Sequence, residues 1–175
     1  QPITSGISIS REPSTGKTWI MFGTGSYLSV TDKTSTSKQT IYGFVDETGE
    51  NNTAITLTRS NLKARTYQES GDYRALEQST ALQSAEKGWY IDLGTGGERV
   101  ALPPLMIDNV LVINTLQPDD DPCLAGGISW RMAIDPYKGG RLKRNFFNTA
   151  NFSDGVPTSG VKTASPTVGY TVIKR

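Results

Sequence analysis

The chain has 175 residues, 35% hydrophobic and 20% charged, the balance of an ordinary globular domain. Its 18 Lys and Arg against 17 Asp and Glu leave a net charge of +1, with no long block of like charge, which argues against nucleic acid as a partner. Histidine is absent, so Ser/His/Asp and Cys/His nucleophilic sites and the common zinc sites cannot be built, and the single Cys123 cannot form an internal disulfide.

The N-terminal QPITSGISIS lacks the charged and hydrophobic regions of a signal peptide, and no Met precedes Met21. The chain is therefore expected to be a portion of a longer polypeptide, with any export signal elsewhere. In chain order, short apolar runs rich in β-branched and aromatic residues predict strands over 7–10, 18–22, 40–45, 62–68, 73–78, 88–93, 110–116, 128–134 and 168–173. Only 81–86 carries a cluster of helix formers, enough for one turn. No apolar run approaches the ~20 residues of a membrane-spanning helix. Polar segments 31–39, 46–53 and 145–162 read as loops, the last long enough to be functional or mobile.

Three segments share a pattern: YGFVDETG at 42–49, WYIDLGTG at 89–96 and WRMAIDPYKG at 130–139. Each runs an aromatic-rich strand into Asp46, Asp92 or Asp135, and Gly49, Gly96 or Gly139 follows. The aspartates lie 46 and 43 residues apart, a period that suits the four-stranded blades of a β-propeller. The expected fold is all-β, a modified propeller of about three blades plus parts of a fourth. The whole of 1–175 is expected to be one propeller segment within a larger domain. Pro-containing entries at 2–4, 103–105 and 165–167 suit the first residues of strands, because Pro lacks an N–H. The aspartates and their glycines read as turn formers, since Asp bonds the backbone two residues on and Gly accepts positive φ. Tyr42, Trp89 and Trp130 read as blade-packing groups, with ligand stacking as the alternative.

No residue is assigned a catalytic, cofactor-binding or metal-binding role. GTGS at 23–26 and GTGG at 94–97 lack the helix and the Lys-Ser/Thr of phosphate loops and read as turns. Asp119, Asp120 and Asp121 lack the spacing, central Gly and terminal Glu of a calcium loop. Asn51 and Asn151 head glycosylation-type triplets, a weak pattern.

FGTGSYL followed by QTIYGFVD, then KGWYIDL with GERV, then VLVINTLQPDDDPCLAGGISWRMAIDPYKGGRL, resembles the C-terminal propeller domain of the PilC/PilY family of type IV pilus tip-associated biogenesis factors and adhesins. The resemblance runs from Gln1 to Leu142 and more faintly to SPTV. It implies a segment of a large exported protein of Gram-negative bacteria, at the outer membrane or pilus, that supports pilus extension against retraction. Minor pilins, other pilus components or a host surface are the implied partners. The family's calcium loop is expected upstream of Gln1, and no residue here matches it. The expected role is a non-enzymatic interaction module. The alternatives are a quinoprotein-like, pyrroloquinoline quinone-dependent dehydrogenase propeller, which shares the blade pattern, and a structural spacer without a saturable partner.

Overall fold

Strands rich in β-branched and aromatic residues contribute apolar side chains to a shared core, and the computed structural model is all-β accordingly. It describes residues 1–48, 56–119, 127–153 and 155–163. Twelve strands lie among the described residues: β1 (Ile7–Arg11), β2 (Thr18–Gly23), β3 (Thr40–Val45), β4 (Leu62–Arg65), β5 (Tyr67–Ser70), β6 (Tyr73–Leu76), β7 (Gly88–Asp92), β8 (Arg99–Val100), β9 (Leu105–Ile107), β10 (Val110–Gln117), β11 (Ile128–Ile134) and β12 (Gly160–Thr163).

Two open sheets result, one of order β1-β2-β3-β7-β4 and one of order β5-β6-β12-β11-β10-β8, with β9 also on β10. Their facing sides share one core that includes Met21, Ile41, Trp89 and Ile91 from the first sheet and Leu76, Ile113, Trp130 and Met132 from the second. The predicted strand over 62–68 is two strands. The chain leaves the first sheet after Arg65, passes through Thr66 and enters the second at Tyr67, so one continuous segment serves both sheets.

The aspartate spacing does not correspond to one blade per aspartate. The β3 strand that ends before Asp46 and the β7 strand that ends on Asp92 are antiparallel neighbours in the same sheet, with Tyr42 opposite Tyr90 and Gly43 opposite Trp89. Their similarity has a local cause: both need an aromatic on the outer face, and Gly43 is the place where the Trp89 ring lies on the backbone. A Cβ at Gly43 would come within 2.5 Å of that ring.

Residues 81–86 form turns without a helix; the Gln83 N–H donates to the Glu86 carboxylate at 2.7 Å and the Glu86 N–H to the Gln83 carbonyl at 2.9 Å. Pro103 and Pro104 interrupt an edge, with β8 and β9 on either side of them pairing with successive parts of β10. The β9–β10 hairpin turns on Asp108 and Asn109, both at positive φ (47° and 62°), the geometry of a two-residue type I′ turn. The polar stretch 145–162 is not all loop: Gly160–Thr163 is β12, inserted between β6 and β11. The predicted strand over 168–173, the Pro entry at 165–167, Gly49, Asn51, Cys123, Asp120 and Asp121 lie outside the described residues.

Candidate functional site

The residues singled out by sequence divide among different jobs. Asp46 accepts from the Thr48 hydroxyl and from the Thr48 backbone N–H, the latter at 3.0 Å, and these bonds, the hydroxyl's first, hold its carboxyl below the usual range. Asp135 closes a tighter turn: its Oδ1 accepts from the N–H groups of Tyr137 and Lys138 at 3.0 and 3.1 Å, and its carbonyl accepts from Gly139 at 2.8 Å. Asp92 differs from both. Its carboxylate accepts from Arg59 at 2.7 and 2.8 Å and from the Thr40 hydroxyl at 2.8 Å, with Lys38 at 3.6 Å. Partial burial would raise its pKa, but the Arg59 and Thr40 bonds outweigh that and lower it. Asp92 thus ties neighbouring segments together and does not fold the turn after β7, where Gly96 takes φ of 98°.

Trp89 and Trp130 lie in the inter-sheet core at 0% and 1% exposure, whereas Tyr42 lies on the opposite, outer side of the first sheet. Trp89 docks the Asp135 turn: its Nε1 donates to the Pro136 carbonyl at 2.9 Å, and Gly139, at φ of 75°, rests on the ring where a Cβ would come within 2.4 Å. The guanidinium of Arg74 sits 3.9 Å from the Trp130 ring centre and 4.6 Å from that of Tyr67, and makes a two-point ion pair with Glu98. Burial pushes the Tyr67 hydroxyl up to about 12, against the pull of Arg74.

Two surfaces remain unaccounted for by this core. The first is the outer face of the first sheet, where Phe22, Tyr42, Phe44 and Tyr90 form a run of ring contacts with centres 5.4 to 6.3 Å apart. The edge strand β1 extends it, with Ile7 and Ile9 54% and 61% exposed. The second is the β2–β3 connection. Buried Arg99 donates to the carbonyls of Gly97 at 2.7 Å, Ser26 at 3.0 Å, Ser35 at 2.6 Å and Asp32. Asp32 in turn accepts from the N–H groups of Leu28 and Ser29 and from the Ser26 hydroxyl at 2.8 to 3.0 Å, bonds that bring its pKa down to about 2. The polar excursion predicted over 31–39 is therefore a clamped loop. Leu28 and Val30, 80% and 85% exposed, form the apolar tip of the β2–β3 connection immediately ahead of residues 31–39. The signal that could have found it is the GERV arginine, which sequence alone could not connect to residues more than 60 positions away.

The β-propeller model of PilY1 matches residues 1–80. The type IV pilus biogenesis factor PilY1 of Pseudomonas aeruginosa is 31% identical over 174 aligned residues, covering 86% of this chain and 15% of that protein. The PilY1 homolog of Xylella fastidiosa is 34% identical over 181 residues, covering 94% of the chain and 14% of that protein. The crystal structure of the P. aeruginosa PilY1 C-terminal domain superimposes with a TM-score of 0.80 at 25% identity, over 93% of this chain and 39% of that one. The chain belongs to the PilC/PilY family. It corresponds to part of the family's C-terminal β-propeller domain and spans about 15% of the curated relatives it matches. The outer face and clamped loop are thus features of a PilC/PilY propeller segment. Among the described residues there is no group of three or more metal-ligating side chains, and no helix is long and apolar enough to cross a membrane.

Proposed function

We propose that this segment is a non-enzymatic interaction scaffold of a type IV pilus biogenesis factor, exported to the cell surface, where it contacts minor pilins or other pilus components in support of pilus assembly and extension. A host surface is a further partner of the same kind. The relatives are described as type IV pilus biogenesis factors, which supports the pilus role and a non-enzymatic reading. The observation that carries the contact role is the Arg99 clamp. An exposed loop whose carbonyls converge on one buried guanidinium is pre-organised, so little ordering entropy is lost when its apolar apex binds. Loops on a rigid β scaffold are where binding residues concentrate.

The test is Leu28→Ser with Val30→Ser in the full-length protein, scored for surface piliation, adhesion and capture of purified minor pilins. Loss of these with a normal denaturation midpoint supports the loop as a contact. Unchanged piliation, adhesion and capture removes it from that role.

A further inference from the structure

The near-zero net charge conceals a local excess: residues 138–144 read KGGRLKR, four cations in seven positions. Three of them, Lys138, Arg141 and Lys143, line one open cleft of about 470 Å³ together with Gln78, Ser79 and Asp135. None of the four cations makes an ion pair among the described residues, although Arg59, Arg65, Arg74, Lys38, Lys63 and Lys87 all do. Asp135 is the carboxylate on the cleft wall among the described residues, and its Oδ1 is engaged by the N–H groups of its own turn. Among the described residues the cleft therefore sets three cations against one carboxylate, a net positive charge.

Its walls are fixed. Gly140 packs against the Ser79 backbone, and the Arg141 N–H donates to the Glu77 carbonyl at 2.9 Å. Buried Arg65 donates to the Lys138 carbonyl at 2.8 Å and to the Thr80 carbonyl at 2.6 Å, bolting both sides together from beneath. The Ser79 hydroxyl, shielded from solvent, has no hydrogen-bond partner, which leaves a donor at the inner wall unused. A cleft of this size accommodates a small ligand rather than a single ion. Guanidinium and ammonium groups lining a cleft favour oxyanions.

We propose that this cleft binds a phosphate-bearing ligand with a small polar body, its phosphate held by Arg141 and Lys143 with Lys138 at the rim. The phosphate can come from a soluble sugar phosphate or from a lipid headgroup, and the charge pattern is the same for both. The site is separate from the Arg99-clamped loop and does not depend on that loop's role.

The experiment uses the full-length protein with three probes: glucose 6-phosphate by titration calorimetry, phosphatidylglycerol vesicles by co-sedimentation, and phosphatidylcholine vesicles as the neutral control. Saturable binding of glucose 6-phosphate, or sedimentation with the anionic but not the neutral vesicles, is expected, and which of the two occurs assigns the source. Arg141→Gln with Lys143→Gln should weaken that binding by about tenfold or more, the scale of a lost charge-assisted contact. Lys17→Gln, an exposed cation elsewhere, should leave it unchanged. Lys143→Glu alone, at an exposed position, gives the same reading if the double variant fails to fold. Absence of binding to every phosphate-bearing probe overturns the proposal. So does binding unchanged by Lys143→Glu, or reduced equally by Lys17→Gln.

Discussion

Arg74 and Glu98 meet in a two-point ion pair inside the core, Nη1 to Oε1 at 2.6 Å and Nη2 to Oε2 at 2.8 Å, with side chains 3% and 1% exposed. The pair joins β6 to the residue just before β8, and the Thr115 hydroxyl of β10 donates to the same carboxylate at 2.5 Å. Burial works against the charge on Arg74, but its bonds to Glu98 outweigh that and raise its pKa. A buried pair of this kind is costly to break from one side, because the remaining charge is stranded. Glu98→Leu alone should destabilise the domain by about 3–5 kcal/mol. The double change Arg74→Met with Glu98→Leu should cost clearly less than Glu98→Leu, since no buried charge is stranded; the other partner of Arg74, Glu69 at 2.9 Å, is 43% exposed and stays solvated. Urea unfolding of the wild type, Glu98→Leu and the double variant decides it; a double variant as unstable as Glu98→Leu or more so would show that the pair's worth lies elsewhere.

Gly139 and Trp89 form the contact that carries the Asp135 turn. Alanine at 139 meets two obstacles at once, positive φ and a ring within 2.4 Å of the new Cβ. Gly139→Ala should cost about 2 kcal/mol or more. Trp89→Phe keeps most of the packing but loses the bond to Pro136, and should cost about 1–3 kcal/mol through the stranded carbonyl. A chemical denaturation series measures both, and a neutral Gly139→Ala would show that the turn can lift from the ring.

What the chain disclosed on its own follows from which forces are local. The strands over 40–45 and 128–134 match the structure because alternation and β-branched content are properties of a few adjacent residues. Asp135 with Gly139 was legible as a turn for the same reason. The strand break at Thr66 was not, because its cause is the pairing of β4 with β7 and of β5 with β6, which lie in different sheets. Likewise β12 reads as polar loop: GVKT has little apolar content and becomes a strand because β6 and β11 leave a gap for it. Asp46 and Asp92 share a sequence pattern, yet only Asp46 bonds the backbone two residues on; the position of Arg59 decides the fate of Asp92.

Asp32 gives the clamped loop an acid limit. Its pKa is lowered from the ordinary 3.8 to about 2, chiefly by the Leu28 N–H, so the carboxylate is bound more tightly to the folded loop than to the unfolded chain. A depressed carboxylate pKa adds stability that is complete above the ordinary value and lost as pH falls through the lowered one. The amides of Leu28 and Ser29 should therefore stay protected from hydrogen exchange above about pH 4 and lose protection as the pH approaches 2. Asp32→Ala should abolish their protection at neutral pH while the β3 amides stay protected. Retained protection in that variant would mean that Arg99 alone holds the loop.

Asn145 closes the long loop of the second sheet. Its Nδ2 donates to the Thr149 carbonyl at 2.8 Å and its Oδ1 accepts from the Thr158 N–H at 2.7 Å, while the Thr158 hydroxyl donates to the Ala150 carbonyl at 2.7 Å. Thr158 and Ser159 are buried, and Ser159 joins the sheets' hydrogen bonding through Leu76, Arg74 and Ala133. A deletion of 148–160 would therefore remove part of the second sheet as well as a loop, and should unfold the domain. Replacing 148–156 by a short Gly-Ser linker spares Thr158, Ser159 and β12, and should retain a cooperative unfolding transition. Asn145→Ala strands the Thr158 N–H and should cost about 1–3 kcal/mol. Far-UV circular dichroism and urea midpoints separate these outcomes. A folded 148–160 deletion would show that β12 is dispensable, and a linker variant without a cooperative transition would show that the loop itself holds the sheet.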